Sequence, residues 1–280
     1  MKKNNKKKYL RLAGLIVLIV FLFAAFDVRL KTVHYVIESD KIHSPLRLAL
    51  VTDLHSCKYG EGQKTLINAV NKEEPDIVLL GGDIFDDEIP DDNTKIFLQA
   101  ISNKYPTYYV TGNHEYWSRR VDGMLDWLRK NNIEVLDGKT SKININGQTI
   151  SLSGVDDLDV KRFTDKEKDF YDQLEEVGKN KNDGLFTILL AHRPAFVDDY
   201  LKYNFDLILC GHAHGGQWRI PYILNGVFAP DEGWLPSYAG GLYNFDHSQM
   251  IVSRGLARES TRVPRIFNRP ELVIIELKKK

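Results

Sequence analysis

The sequence predicts an α/β fold that is built from βαβ units and preceded by one N-terminal transmembrane helix. Three observations lead to this expectation: a basic and then apolar N-terminus, short apolar runs that alternate with helix-compatible stretches, and polar clusters that end those runs. The chain has 280 residues, 43% of them hydrophobic, which is enough for one sizeable core.

The N-terminus is typical of a membrane anchor. Six Lys or Arg residues precede the first acidic residue, Asp27, and residues 12–26 between them are uncharged and apolar. This length lies at the short end of a membrane span. A cleaved signal peptide is the alternative, although Phe23-Ala24-Ala25 lacks the paired small residues of a cleavage site. We favour an uncleaved anchor.

We therefore divide the chain into four parts: a basic cytoplasmic tail at 1–11, a membrane anchor or signal segment at 12–28, a juxtamembrane linker at 29–44 that contains a strand at 32–39, and one catalytic domain at 45–280. Because a Lys-rich flank stays in the cytoplasm, the expected protein is a single-pass protein of the cell membrane. Its N-terminus would be cytoplasmic and its catalytic domain extracytoplasmic.

The charge balance argues against nucleic acid as a dedicated partner. Without the six N-terminal cations, 32 basic side chains face 38 acidic ones, a net charge of about −6. Binding to a phosphate backbone needs a basic surplus, which this body lacks. The two cysteines, Cys57 and Cys210, allow no disulfide framework, and we expect small buried residues instead of metal ligands.

Apolar runs rich in Val, Ile and Tyr predict the strands. They occupy 46–52, 77–80, 107–110, 186–191 and 207–210, and helix-compatible stretches at 61–73 and 92–104 separate the first three. This βαβαβ order predicts a parallel sheet. A helix at 117–131, a hairpin at 142–155 around Asn146-Gly147, and a last strand at 271–277 complete the pattern.

Each of the five runs ends in a cluster of polar residues. In order, these clusters are Asp53-Leu54-His55, Gly82-Asp83, Gly112-Asn113-His114-Glu115, His192-Arg193-Pro194 and Gly211-His212-Ala213-His214. Ligand sites in parallel sheets gather beyond the carboxyl ends of strands, so we expect the five clusters to meet. One histidine alone would more often be a hydrogen-bonded surface or core residue, but five of the chain's eight lie in these clusters.

The mixture of side chains indicates two divalent metal ions. Imidazole together with carboxylate favours zinc, manganese or iron over magnesium or calcium. Seven candidate ligands exceed the need of one tetrahedral ion and suit two ions about 4 Å apart. Asp83 stands alone at its strand end and is our candidate for the bridging carboxylate.

At these residues the sequence resembles the calcineurin-like metallophosphoesterases, whose five blocks are D-x-H, G-D, G-N-H-[ED], H and G-H-x-H. All five occur here in order, across roughly residues 46–277. The later segments GHAHGGQWRIPY, VSRGL and RPELVIIEL are most similar to a bacterial branch of membrane-associated phosphodiesterases, including UDP-2,3-diacylglucosamine pyrophosphatase-like hydrolases. This resemblance implies a β-sandwich flanked by helices, and phosphate-ester substrates that include lipid-linked or cell-envelope molecules.

The resemblance also implies the role of each residue. Asp53, His55, Asp83 and His214 would hold one ion, and Asp83, Asn113, His192 and His212 the other. His114 would contact the phosphoryl group or protonate the leaving oxygen. Two positions depart from the pattern: Ala213 replaces the Thr that is common in this branch, and Arg193 either contacts a substrate phosphate or faces solvent.

Other residues near the motifs are expected to have no catalytic role. Glu115 would favour the dipole of the next helix, and Asp86, Asp156 and Asp157 would be solvated loop acids. The following side chains make the region after His214 unusually apolar: Trp218, Tyr222, Ile223, Leu224, Phe228, Trp234, Leu235, Tyr238, Tyr243 and Phe245. They form either a rim for lipid or a second buried cluster.

Two classes of function follow. The first is an enzyme that cleaves a phosphodiester or pyrophosphate bond by means of a metal-bridging hydroxide, with a phosphomonoesterase on the same metal core as the runner-up. The second is a tethered metal-binding protein without turnover. Because every expected ligand is present, we favour the enzyme.

Overall fold

The computed structural model describes residues 2–258 and 263–280. Two mixed six-stranded sheets form its body, and a short two-stranded ribbon lies beside them. The strands are β1 Lys31–Glu38, β2 Leu46–Val51, β3 Ile77–Gly81, β4 Thr107–Val110, β5 Ile133–Val135, β6 Lys139–Ile145, β7 Gln148–Gly154, β8 Phe186–Leu190, β9 Leu207–Cys210, β10 Phe228–Ala229, β11 Gly233–Trp234, β12 Gly241–Asn244, β13 Gln249–Val252 and β14 Glu271–Lys278.

Helices connect the strands and cover the sheets. They are α1 Lys2–Ala25, α2 Lys64–Glu73, α3 Asp92–Ser102, α4 Asn113–Trp117, α5 Val121–Lys130, α6 Val160–Phe163, α7 Phe170–Asn180 and α8 Val197–Leu201. Single 3₁₀ turns lie at Glu61–Gln63, Pro194–Phe196 and His214–Gly216. The predicted helix at 117–131 is present as α5 but begins four residues later, at Val121, because Trp117 ends α4 and Arg119 takes a left-handed φ of 57° between the two helices.

The two sheets pack face to face as a sandwich. The first has the order β1-β14-β2-β3-β4-β5 and the second β12-β13-β9-β8-β7-β6. Alternate residues of β2 explain the layers: Leu48 and Leu50 belong to the core between the sheets, whereas Ala49 and Val51 pack under the helices α2, α3 and α5. A third core lies between the second sheet and α7 and α8. The α/β fold and the helix-flanked sandwich are thus confirmed.

Most of the individual predictions are also correct. The five apolar runs are strands within one residue of their predicted ends, and the Asn146-Gly147 hairpin joins β6 to β7 with positive φ at both turn residues. The expectation of one parallel sheet was incomplete. The strands β2, β3 and β4 pair in one sheet, whereas β8 and β9 pair in the other.

The predicted strand within the linker 29–44 is present as β1 and belongs to the first sheet. The strand β1 pairs in parallel with β14 over its whole length, from Lys31 opposite Glu271 to Glu38 opposite Lys278. Ile37 is 1% exposed and Ile42 is fully buried in the core between the sheets. The folded body therefore begins near Lys31, because an apolar residue that faces the core ties this strand down.

The helix α1 is long and apolar enough over Lys7–Ala25 to cross a membrane, and nearly all of the side chains in this range are exposed. Its last turn contacts the body at Phe267. The backbone N–H of Phe267 donates to the carbonyl of Ala25 at 2.7 Å, and the rings of Phe21 and Phe267 lie 5.3 Å apart. The end of the apolar helix is thus fixed to the segment just before β14.

The strand β1 offers a matched test of its place in the fold. Replacement of buried Ile37 by Ala should lower the free energy of unfolding by about 2–4 kcal/mol, because it leaves a cavity in the sandwich core. Its neighbour Val36 points outward and is 47% exposed, so Val36→Ala should cost less than about 1 kcal/mol. Denaturant unfolding of the full chain in detergent measures both changes. Equal effects for the two variants would show that β1 is not part of the core.

Candidate metal centre

The seven predicted ligands converge at the carboxyl ends of strands from both sheets. All are buried, with exposed fractions between 0% and 7%. Asp53 and His55 follow β2, Asp83 follows β3, Asn113 begins α4 after β4, His192 follows β8, and His212 and His214 follow β9. Two hydrogen bonds join the two sheets at this point. Nδ1–H of His192 donates to the carbonyl of Gly81 at 2.9 Å, and the backbone N–H of His212 donates to Asp53 Oδ1 at 2.8 Å.

Asp53, His55 and His214 form a first group of possible ligands, whose donor atoms lie within 4.8 Å of one another. Nε2 of His214 is 3.9 Å from Asp53 Oδ1, and the two imidazole rings are 5.2 Å apart. Two imidazoles and one carboxylate that face a common point suit a divalent transition metal.

Asp83, His192 and His212 form a second group of the same kind. Nε2 of His192 lies 3.2 Å from Nδ1 of His212 and 3.1 Å from Asp83 Oδ2. Because Nδ1 of His192 donates to Gly81, its Nε2 presents a lone pair to this group. A cation is the natural partner of the two facing nitrogens and the carboxylate.

Asp83 lies between the two groups. Its Oδ2 atom is 3.1 Å from Nε2 of His192 in the second group and 3.6 Å from Nε2 of His55 in the first. Its other oxygen, Oδ1, accepts the backbone N–H of His114 at 2.8 Å, which fixes the carboxylate in this orientation. The position is the one that a bridging ligand of two ions requires.

The unpaired polar atoms of the site test whether metals fit. Buried polar atoms are nearly always hydrogen-bonded, yet within residues 2–258 and 263–280 six atoms of the predicted ligands have no hydrogen-bond partner: Asp53 Oδ2, His55 Nε2, Asp83 Oδ2, Asn113 Oδ1, His212 Nε2 and His214 Nδ1. His212 Nε2 faces Asp231 Oδ2 at 3.0 Å, and the other five have no such counterpart. Bound cations would satisfy them, so the residues present fit two metal ions.

The backbone at these ligands is held in an unusual conformation. Five of the seven ligands have a left-handed φ, namely Asp53 (51°), His55 (48°), Asp83 (52°), His212 (64°) and His214 (47°). Such values are uncommon for residues with a side chain and concentrate at functional sites. They turn successive side chains of short loops toward one point.

Two glycines make room for the carboxylates. A Cβ atom on Gly112 would lie 2.2 Å from Asp83 Oδ1, and one on Gly255, whose φ is +67°, would lie 2.6 Å from Asp53 Oδ2. Gly255 belongs to the VSRGL segment, which the sequence singled out by its family resemblance. Its lack of a side chain lets the segment that follows β13 approach the Asp53 loop.

The charges of the site favour a cation. Burial lowers the pKa of His192, but the carboxylates of Asp83, Asp53 and Asp157 together outweigh burial and raise that pKa to about 10. Burial also opposes the charge on His55, whereas Asp86, Asp83 and Asp53 raise its pKa. At His214, burial and the nearby His55 lower the pKa, which keeps this imidazole neutral and able to act as a ligand.

Asp86 corrects the expectation of a solvated loop acid. It is 3% exposed, and its Oδ2 accepts Nδ1–H of His55 at 3.0 Å. This contact leaves Nε2 of His55 free to face the first ligand group. Carboxylates commonly orient metal-binding histidines in this way. Its spacing of three residues from Asp83 was the available signal in the sequence.

Glu115 also corrects an expectation, because it does much more than favour a helix dipole. The side chain is fully buried. Its two oxygens accept four backbone N–H groups, those of Asp83, Ile84, Phe85 and Gly112, at 2.7–3.0 Å. The carboxylate of Glu115 therefore ties the end of β3 to the start of α4 and holds Asp83 in place.

Arg193 does not face solvent, because carboxylates surround its guanidinium. Its guanidinium is 8% exposed and binds Asp157 through Nε and Nη2 at 2.7 and 2.8 Å. Nη1 contacts Asp231 Oδ2 at 2.6 Å, and that same oxygen lies 3.0 Å from Nε2 of His212. Asp156 and Asp157, expected in solvent, are each 1% exposed. Both carboxylates are therefore part of the buried structure around the site.

His114 lies at the rim of the site. Its side chain is 24% exposed, and its Nδ1 donates to Asp87 Oδ1 at 2.6 Å. The ring meets that of His55 edge to face at 4.3 Å. Nε2 of His114 is therefore free to reach a molecule that approaches the ligand groups. Cys57 and Cys210 are buried, as expected.

Comparisons with known proteins agree with this geometry. Residues 46–216 match the family model described as calcineurin-like phosphoesterase. An uncharacterized metallophosphoesterase of Helicobacter pylori is 30% identical over 264 residues, which cover 91% of this chain and 66% of the relative. Another, of Aquifex aeolicus, is 32% identical over 260 residues, 90% of this chain and 93% of the relative.

A Bos taurus protein described as a transmembrane protein with metallophosphoesterase domain is 31% identical over 201 residues, 66% of this chain and 44% of the relative. Among solved structures, the NAD nucleotidase of Haemophilus influenzae superposes with a TM-score of 0.52 at 18% identity, over 76% of this chain and 45% of that chain. A dimetal phosphatase of Danio rerio gives 0.50 at 12% identity, over 75% and 88%. At such identities the likeness shows the fold.

The matched segment holds the complete set of predicted ligands, from Asp53 to His214. Fold, motif order and sequence similarity lead to one assignment: the chain belongs to the calcineurin-like phosphoesterase family.

Proposed function

We propose that this protein is a membrane-anchored hydrolase that uses two metal ions to cleave a phosphodiester or pyrophosphate bond. The ligands of one ion would be Asp53, His55, Asp83 and His214, and those of the other Asp83, Asn113, His192 and His212. The observation that carries the proposal is the convergence of unpaired ligand atoms around Asp83 Oδ2. The imidazole and carboxylate set suits manganese, zinc or iron.

Two divalent ions in such a site lower the pKa of a water molecule and neutralise charge on phosphoryl oxygens. The chain's own residues position the reactants. Asp86 orients His55, Asp231 faces His212, and Glu115 holds the loop of Asp83. No side chain has to act as the nucleophile.

His114 is our candidate for the residue that contacts the phosphoryl group or protonates the leaving oxygen. Its Nδ1 is occupied by Asp87, which leaves Nε2 available to a substrate at the rim. An imidazole in this position can pass a proton to an alkoxide as the bond to phosphorus breaks.

The preference for a diester over a monoester rests on the surroundings of the site. An apolar loop, residues 218–235, lies beside the His212–His214 segment, where it would accommodate a second ester substituent, including the acyl or prenyl part of a lipid-linked substrate. A phosphomonoester has no second substituent, so a phosphomonoesterase would not need this apolar loop. A tethered metal-binding protein without turnover is the remaining alternative.

We propose that α1 anchors the protein in the cell membrane. The apolar helix and the relative described as a transmembrane protein support an anchor. The Lys-rich flank favours a cytoplasmic N-terminus, which leaves the catalytic body on the outer side.

The bridging role of Asp83 has a direct test. In the metal-reconstituted full chain, Asp83→Asn should reduce cleavage of a bis-aryl phosphodiester by at least about 100-fold, because an amide cannot bridge two cations. Asp246→Asn, on an exposed turn at the opposite end of the second sheet, is the matched control and should keep full activity. Metal content is measured in parallel.

Undiminished cleavage by Asp83→Asn would overturn the two-metal proposal. Faster cleavage of an aryl monoester than of the diester by the unmodified protein would favour the phosphomonoesterase. Bound metal without turnover on either ester would favour the tethered metal-binding protein.

The role of His114 predicts a different result. His114→Ala should lower turnover about 10²- to 10⁴-fold while both metals stay bound, since the side chain assists proton transfer and is not a ligand. His34→Ala, which removes a surface histidine that contacts Glu73, serves as the control. Kinetics and metal analysis on the same samples separate the two effects. Loss of metal with unchanged turnover per bound site would contradict the assignment.

Cysteine labelling in intact cells tests the proposed membrane topology. A cysteine at exposed Asp246 should react with a membrane-impermeant maleimide from outside, and a cysteine at Asn5 only after lysis. The native Cys57 and Cys210 are buried and give a low background. The reverse labelling pattern would place the catalytic body in the cytoplasm.

A further inference from the structure

The surface beside the metal centre carries an unusual concentration of exposed apolar side chains. We call residues 218–235 the aromatic loop. Its exposed large side chains are Trp218, Ile220, Tyr222, Ile223, Phe228, Trp234 and Leu235, and their exposed fractions range from 43% to complete exposure. Soluble surfaces rarely gather so many, and such patches mark contact sites.

The sequence left open whether residues 218–245 form an exposed rim or a buried cluster. In the structure one part of this region is exposed and another part is packed against the core. Tyr238, Tyr243 and Phe245 pack against the core under α7 and α8. The aromatic loop itself points outward, and Ile223 is 81% and Trp234 76% exposed. The exposed part therefore does not contribute to the stability of the core.

The aromatic loop lies next to the end of α1. Trp218 pairs with Ile266 in a β-bridge, and its Nε1–H donates to the carbonyl of Pro264 at 2.9 Å. Phe267, which follows Ile266, contacts the last turn of α1. Its backbone N–H donates to the carbonyl of Ala25, and its ring packs against that of Phe21. One short segment thus connects the exposed loop to the point where the apolar helix ends.

The same loop borders the metal centre. Asn268 Nδ2 donates to the carbonyl of the ligand His214 at 2.7 Å and to that of Gln217 at 3.2 Å. The N–H of Val227 donates to the carbonyl of Gly216 at 3.0 Å. An apolar cavity of about 220 Å³, lined by Trp218, Phe228 and Trp234 among others, opens at this boundary.

We propose that the aromatic loop is a bilayer-contact surface, which inserts into the boundary between headgroups and acyl chains of the leaflet from which α1 emerges. Trp and Tyr side chains favour that zone because one end is apolar and the other polar. The inference rests on the proposed anchoring by α1 and deepens it: the metal centre would open at the membrane surface, within reach of phosphate esters of lipids.

The test uses the full chain in phosphatidylcholine vesicles with an environment-sensitive fluorophore on single introduced cysteines. Ile223→Cys reports on the aromatic loop, Asp246→Cys is the matched site at the far end of the second sheet, and Val17→Cys reports on α1. Nitroxide lipids quench fluorophores that contact the bilayer. The label at Ile223 should be quenched at least about twofold more than that at Asp246, and shallow nitroxides should quench it best.

Three other outcomes would overturn the inference, and they are distinguishable. If the label at Val17 is quenched but that at Ile223 behaves like Asp246, the loop does not contact lipid, although the anchor stands. If the label at Val17 is not quenched, the anchor and the inference fail together. If the label at Ile223 is shielded from aqueous iodide but not reached by nitroxide lipids, the loop binds protein instead. Hydrolysis is not measured, so the proposed chemistry is tested separately.

Discussion

The carboxylate of Asp83 is the constraint on which the rest of the structure depends. One oxygen is held by a backbone N–H, and the other faces histidines from both ligand groups without a hydrogen bond. A buried charge in this position is costly unless cations compensate it. The left-handed turns, the glycines without clashing Cβ atoms and the buried Glu115 all serve to hold this group at the edge where two sheets meet.

The sequence predicted the strands and the seven-residue convergence because both depend on local pattern. The alternation of β2 and its abrupt change to Asp53 and His55 are visible in one segment. The division into two sheets followed only from the family resemblance and not from the local pattern, because the pairing of β8 and β9 away from β4 is a long-range choice. The strand β1 was predicted within the linker, but its place in the first sheet was not, because its partner, β14, lies more than 200 residues away.

The supporting charged residues escaped prediction for a related physical reason. Acidic residues in loops are usually solvated, and Asp86, Glu115 and Asp157 look like such residues in sequence. Their burial depends on partners that only the fold supplies: an imidazole, four backbone N–H groups, and the guanidinium of Arg193. The cost of burying each charge is offset by these contacts.

Asp231 connects the aromatic loop to the candidate metal centre. It lies in the turn between β10 and β11, within the aromatic loop, yet its carboxylate faces His212 and Arg193. A movement of the aromatic loop would therefore also move a carboxylate that faces the predicted ligand His212. Contact of the loop with a bilayer, as proposed above, would fix the position of Asp231 together with that of the loop.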